Sequence, residues 1–343
     1  DYVKIPMADG GEGTVQSLVD ALKGKVVERS VTAPLGNKIQ AFFGISGDNQ
    51  TAVIEMAAAS GLHLVSPAQR NPLKTTSFGT GELIKAALDL GVKKIILGIG
   101  GSATNDAGAG MLQALGVQLL NANNQQIGLG GENLSLISKI DLSKLDSRLQ
   151  QVEILVACDV DNPLCGEKGA SAVFGPQKGA TPEIVQQLDR ALFHFSDIVQ
   201  QDLDLNIRDQ AGAGAAGGMG GGILLLPNVQ LKAGVQIIID AVNLNEQIKD
   251  ADLVITGEGR MDSQTVHGKT PIGVAKAAKL FNKPVIAIVG SLKDDYEVVY
   301  EHGIDAVFPI IRQLKSLDET LKLGRENLIS TAQNIARLYK LTK

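Results

Sequence analysis

The sequence predicts an α/β protein in which a second, mixed α/β domain is inserted into a parallel-sheet domain. Three observations lead there. Short runs rich in Val, Ile and Leu alternate with helical patterns, most regularly over residues 252–339. Residues 25–33, 39–45 and 52–56 read as consecutive strands with no helix between them, which calls for antiparallel or mixed pairing. Glycines gather with Asp, Ser and Thr directly after strand-like runs, the place where open α/β sheets bind ligands.

Taken in order, residues 3–6 read as a strand and 14–22 as the helix that follows it. Turns at Pro34-Leu35-Gly36-Asn37 and Gly47-Asp48-Asn49 separate the three consecutive strands. Residues 93–97 and 153–156 are short apolar runs of the kind that form buried strands, and Thr181-Pro182-Glu183 carries a helix start. From residue 252 the rhythm is strand 252–256, helix 271–280, strand 284–289, helix 294–302, strand 306–310 and a final helix 318–339. Successive βα units of this kind give a parallel sheet with helices on both faces. Residues 1–22 and 246–343 are therefore assigned to the parallel-sheet domain and 23–245 to the insertion.

Composition narrows the function. A chain of 343 residues exceeds one ordinary core, and 44% hydrophobic with 20% charged residues is a globular balance. With aromatics at 3% and no Trp, the core must be aliphatic. A net charge of -5 and the lack of any basic run argue against nucleic-acid partners. No apolar run reaches the roughly 18 residues that span a bilayer, so no membrane partner is expected. Cys158 and Cys165 fit neither a zinc site nor a redox pair. Two thiols in a long chain suit a reducing cytosol, and the first residues show no basic-then-apolar signal pattern, so a cytoplasmic location is expected.

Four glycine-containing segments carry the chemistry. Met7–Thr14 (MADGGEGT) follows the first strand and opens a helix; it is either a ligand loop or a tight turn with Thr14 as N-cap. Gly98–Gly110 (GIGGSATNDAGAG) has the Gly98, Gly100, Ala103 spacing of a dinucleotide fingerprint. The acidic residue that should end the next strand is absent from Leu119-Leu120-Asn121-Ala122, which disfavours a nicotinamide-dependent dehydrogenase. A phosphate or sugar-acid loop using Ser102, Thr104, Asn105 and Asp106 fits better. Gly212–Gly222 (GAGAAGGMGGG) holds seven glycines in eleven residues without a convincing strand before it, and is expected to be a mobile loop covering a nucleotide. Thr256–Gly273 (TGEGRMDSQTVHGKTPIG) crowds Glu258, Arg260, Asp262, His267 and Lys269 before a helix start read as Thr270 N-cap and Pro271 first turn. Ser263 stands where a Walker loop needs Gly, so it is not one.

Weaker candidates are Asp159 and Asp161 after strand 153–156, and Lys178, which would face a phosphate or solvent. His63, His194 and His302 are isolated and suggest no metal site.

Together, MADGGEGT, GIGGSATNDAGAG, ACDVDNPL, GAGAAGGMGGG and DLVITGEGRMDSQTVHGKTPIGVA resemble the type-1 glycerate kinase family, in matching order from Met7 to Ala275. The resemblance implies a flavodoxin-like domain, an inserted domain with a mixed, curved sheet, and ATP, Mg²⁺ and D-glycerate as small-molecule partners. It also implies a further opening strand ahead of Asp1, central in the sheet.

On that basis Asp9, Asp159, Arg260 and Lys269 are the expected catalytic groups, and Asp159, Glu258 and Asp262 the expected metal ligands. Gly100, Gly101, Ser102, Thr104 and Asn105, with Gly217, Gly218, Gly220 and Gly221, are expected to cradle ATP or substrate. Which carboxylate is the base, and whether the 2- or 3-hydroxyl is the acceptor, stay open at this level. A non-catalytic sugar-acid sensor is the alternative, but it would have no use for the dense charges of 258–269.

Overall fold

The computed structural model describes residues 1–341, and the chain divides into two compact units, Asp1–Ile237 and Ile238–Lys343. In the first unit, residues 1–9 form neither helix nor strand, so the strand expected at 3–6 is not seen. Helix α1 (Thr14–Ala21) leads into β1 (Lys25–Thr32), β2 (Lys38–Ile45) and β3 (Thr51–Glu55). The short α2 (Ala57–Ser60) and α3 (Phe78–Asp89) precede β4 (Lys94–Gly98), α4 (Ala109–Ala114), the β5 (Gln118–Leu120) and β6 (Lys139–Asp141) ribbon, and β7 (Glu153–Ala157). There follow α5 (Ala170–Phe174), the long α6 (Pro182–Leu203), α7 (Met219–Gly222), β8 (Val229–Lys232) and α8 (Gly234–Ala241), which runs across the boundary.

Six strands form one sheet in the order β1-β2-β3-β4-β7-β8. β1, β2 and β3 pair antiparallel, as expected from their lack of intervening helices, while β3, β4, β7 and β8 run parallel. The parallel strands are buried on both faces (Ala52–Glu55, Ile95–Gly98, Ile154–Ala157), which is why they read as continuous apolar runs.

Residues 1–22 fall in this unit rather than with 246–343. The reason is local packing: Val15 and Val19 of α1 close over Gly44 of β2, where a Cβ would lie 2.5 Å from Val19 Cγ2.

The second unit holds α9 (Leu244–Lys249), β9 (Val254–Met261), α10 (Thr270–Lys279), β10 (Val285–Leu292), β11 (Ala306–Pro309), α11 (Leu317–Lys322) and α12 (Gly324–Leu341). Its sheet is parallel, in the order β11-β10-β9. The single helix expected over 318–339 is two helices. Ser316 caps the first, exchanging hydrogen bonds with Glu319, and the second starts at Gly324. The helix expected at 294–302 is a 3₁₀ segment, Tyr296–His302. No helix among the described residues is long and apolar enough to cross a membrane.

Candidate active site

In the first unit, Glu55, Gly98, Ala157 and Lys232 end β3, β4, β7 and β8 side by side in register. The Asp9-Gly10 turn lies on this carboxyl edge. A Cβ on Gly98 would sit 2.2 Å from Gly10 O, and one on Gly234 would sit 1.7 Å from Asp9 O and 3.1 Å from Asp159 Oδ2. Asp9 and the Asp159 carboxylate thus meet around Gly234, a position that admits no side chain. Gly234 N–H donates to Asp159 Oδ1 at 2.9 Å, and Gly11 N–H donates to Asp9 Oδ1 at 3.1 Å. Burial raises the Asp159 carboxyl above its ordinary value; the Gly234 N–H opposes this, and the charge of Asp9 adds to it. Two acids far apart in sequence therefore share one strand-end corner.

Met7–Thr14 does not offer its helix N-terminus to a ligand. Gly13, in a left-handed conformation, is the N-cap in place of Thr14, and Val15 N–H donates to Glu55 Oε1 at 2.8 Å. The dipole of α1 is thus already answered from within. Sequence reasoning missed Glu55. Its signal was an acid closing the otherwise apolar strand TAVIE.

The Gly98–Gly110 loop splits into a surface part and an interior part. Gly100 and Gly101 are exposed, Ser102 is 6% exposed, and Thr104, Asn105 and Asp106 are wholly buried. Asp106 accepts from Ser77 N–H and Ser77 O–H at 2.9 and 2.8 Å, and from the N–H groups of Gly108 and Gly110. It ties the start of α3 to the start of α4. Asn105 donates to Ser171 Oγ at 2.9 Å. Thr104 and Asn105 therefore face the interior, a correction to their expected place in a cradle, because the loop turns inward after Ser102. Lys178 does not face solvent. It is buried, donating to Ser102 Oγ at 2.7 Å and Thr104 O at 2.6 Å. Burial pushes its pKa down to about 7, with Asp106 opposing.

Gly212–Gly222 is not a mobile cover. Gly217, Gly218, Gly220 and Gly221 are buried, and Gly217 O accepts from Ala107 N–H at 3.0 Å. A Cβ on Gly217 would lie 2.0 Å from Thr104 O, and one on Gly222 would lie 1.8 Å from Ala107 O. The glycines let two backbones touch, supporting the Gly98–Gly110 loop from behind.

In the second unit the charged segment closes on itself at the carboxyl ends of β9 and β10. Asp262 is buried and caps a 3₁₀ turn, accepting from Gln264 N–H at 3.0 Å. Lys293 Nζ lies 3.1 Å from Asp262 Oδ2, and this contact, more than any other, holds the Asp262 carboxyl below its ordinary range. Lys269 Nζ stands 4.0 Å from both Asp262 Oδ1 and Glu258 Oε2, and Arg260 Nε stands 3.8 Å from Asp262 Oδ2. Glu258 also accepts from Thr265 O–H at 2.6 Å. Carboxylates lie underneath and cations outermost. Lys293 went unnoticed in the sequence because it arrives just past β10, 24 positions beyond Lys269 (293 − 269). Lys269, not Thr270, is the N-cap of α10, and no side chain caps its first N–H groups.

No group of three or more His, Cys, Asp or Glu among the described residues is arranged to hold a metal ion. Glu258 and Asp262 are already answered by lysine and arginine, whereas Asp9 and Asp159 form a pair of hard oxygen donors. One or two carboxylates suffice for Mg²⁺, which keeps waters and phosphate oxygens as its other ligands.

Lys269→Met is expected to lower kcat and kcat/KM together by about 100-fold, the cost of a lost electrostatic donor in the transition state. Arg260→Met is expected instead to act mainly on a substrate KM. Steady-state kinetics separates the two, and wild-type constants in both would make the segment a surface connector.

Acidic oxygens, exposed glycine backbone and an outward cation cluster, each at the carboxyl ends of parallel strands, are the equipment of an α/β phosphotransferase. The particular family follows from comparison: the glycerate kinase family model matches residues 1–340, and the chain belongs to that family. It is 70% identical to the glycerate kinase of Haemophilus influenzae, over 98% of this chain and 89% of that one. It is 53% identical to the glycerate 2-kinase of Escherichia coli, over 98% and 88% respectively. The crystal structure of a putative glycerate kinase 2 from Salmonella typhimurium superposes with a TM-score of 0.92 at 55% identity, covering 100% of this chain and 90% of that one.

Proposed function

We propose that this kinase transfers the γ-phosphoryl group of ATP to the 2-hydroxyl of D-glycerate, giving 2-phosphoglycerate and ADP in the cytoplasm. The observation that carries the reading is the Asp9–Asp159 corner around Gly234, in a chain 53% identical to a glycerate 2-kinase. Asp159 has one oxygen committed to Gly234 N–H, and burial favours its protonated form, so Oδ2 is the atom that receives the hydroxyl proton. Asp9, alongside, would hold Mg²⁺, which when bound neutralises charge on the phosphate oxygens. Exposed Gly100 and Gly101 let an anionic group approach the backbone at the end of β4; in the second unit, Lys269 and Arg260 are the outermost cations of their cluster.

Phosphoryl transfer draws chiefly on positioning and charge neutralisation, which is what these groups supply. ADP release with D-glycerate, followed by ³¹P NMR of the product, tests the reading. A 2-phosphoglycerate signal is expected. A 3-phosphoglycerate signal overturns the acceptor, and no ADP above an enzyme-free control with any small hydroxy acid overturns the kinase.

A further inference from the structure

We infer that Lys178 is a positioning residue that turns Ser102 into a hydrogen-bond donor toward an anionic oxygen of the substrates. The inference rests on the kinase reading above and deepens it.

Lys178 is fully enclosed, yet its amino group is directed to no carboxylate. It donates to Ser102 Oγ and to Thr104 O, the side chain and backbone of one short loop. Enclosing a lysine costs free energy, and a brace alone could be built from neutral groups. What the amino group does that a neutral brace would not follows from hydrogen-bond bookkeeping. As an ammonium it has three N–H donors and no acceptor site, so at Ser102 the oxygen is the acceptor. A hydroxyl that accepts from nitrogen keeps its own proton for another partner. Ser102 adjoins exposed Gly100 and Gly101 at the end of β4, and beyond it the loop is interior. Its O–H is therefore the last side-chain donor before the loop leaves the surface. Ser102 follows β4 by four residues, and the last residue of that strand, Gly98, is the one that touches Gly10 of the Asp9-Gly10 turn.

Three further contacts fix this arrangement. Ala103 N–H donates to Ser60 O at 2.9 Å, Leu62 N–H donates to Gly101 O at 2.8 Å, and Thr75 O–H donates to Ala103 O at 2.9 Å. The loop around Ser102 is thus held on both sides without Lys178. Removing the amino group changes the hydroxyl's orientation more than the loop's path.

The test is a double-mutant cycle on the whole chain, with wild-type turnover of ATP and D-glycerate measured first. Failure of that turnover speaks against the kinase reading, not against this inference. Ser102→Ala is expected to raise one substrate's KM about tenfold, the size of a hydrogen bond to a charged group. A rise for ATP assigns the oxygen to a phosphate, and a rise for D-glycerate assigns it to the carboxylate. Lys178→Met, which keeps the apolar stem, is expected to raise the same KM by a similar factor. The double variant should be no worse than either single one, because Lys178 acts through Ser102. Ser102→Thr, which keeps the hydroxyl, should restore the wild-type KM. Multiplying losses in the double variant, or wild-type constants in Ser102→Ala, overturn the inference. Should Lys178→Met not fold, the contrast between Ser102→Ala and Ser102→Thr still decides: equal constants in the two overturn it.

Discussion

Asp159→Asn is expected to lower kcat by about 1,000-fold, within the range for a lost proton acceptor at a reacting hydroxyl. The amide keeps the shape of the carboxylate and can still accept Gly234 N–H, so the loop between β7 and its neighbours stays in place. What disappears is the basic oxygen facing Asp9. Asp9→Asn should cost at least about 100-fold for the loss of the adjoining carboxylate.

Stability should move the other way or not at all. The Asp159 carboxyl is raised by burial, opposed by Gly234 N–H and assisted by Asp9, so the folded protein binds its proton more readily than the unfolded chain does. Ionisation near neutral pH therefore weakens the fold; the deficit shrinks as pH falls below the raised value and is gone only below the ordinary carboxylate value. The neutral amide removes that deficit, and at pH 7 the variant should melt no lower than wild type. Wild-type kcat in Asp159→Asn would make the residue structural, and a large fall in melting temperature would undercut the argument from burial.

Gly217→Ala is expected to destabilise the first unit by roughly 3 kcal/mol. About 1–2 kcal/mol comes from the left-handed backbone at φ 70°, and a similar share from overpacking. The added Cβ would fall 2.0 Å from Thr104 O, which is backbone and cannot rotate away. Urea unfolding measures this through the transition midpoint. A mobile nucleotide cover would behave differently, leaving the midpoint unchanged and raising the KM for ATP. Such a result would reverse the buried placement of this segment.

The contrast between these two sites shows what can be read from sequence. Local patterns were legible wherever backbone chemistry is local. The antiparallel run β1–β3, the βα rhythm of the second unit and the strand end before Asp159 follow from periodicity, turn residues and glycine placement, whereas β9 runs on to Met261, past the end expected at 256. Motif order likewise named the family before any contact was known. Glycine composition did not say what the glycines were for. Gly100 and Gly101 expose backbone to solvent, while Gly217 and Gly222 admit other backbone in the interior, and both uses select the same residue because both forbid a Cβ.

Side-chain partners were equally hidden. Lys178 had to fold inward to reach Ser102, Glu55 had to reach the start of α1, and Lys293 had to arrive just past β10 beside Asp262. By itself the sequence determined the α/β class, the family and the strand-end acids, since each rests on residue type and spacing along the chain. Only the tertiary structure decided which acids meet, which loop is surface and which is core. Those outcomes depend on distances between segments far apart in sequence, where burial and hydrogen bonding are settled by the fold and no local pattern carries the information.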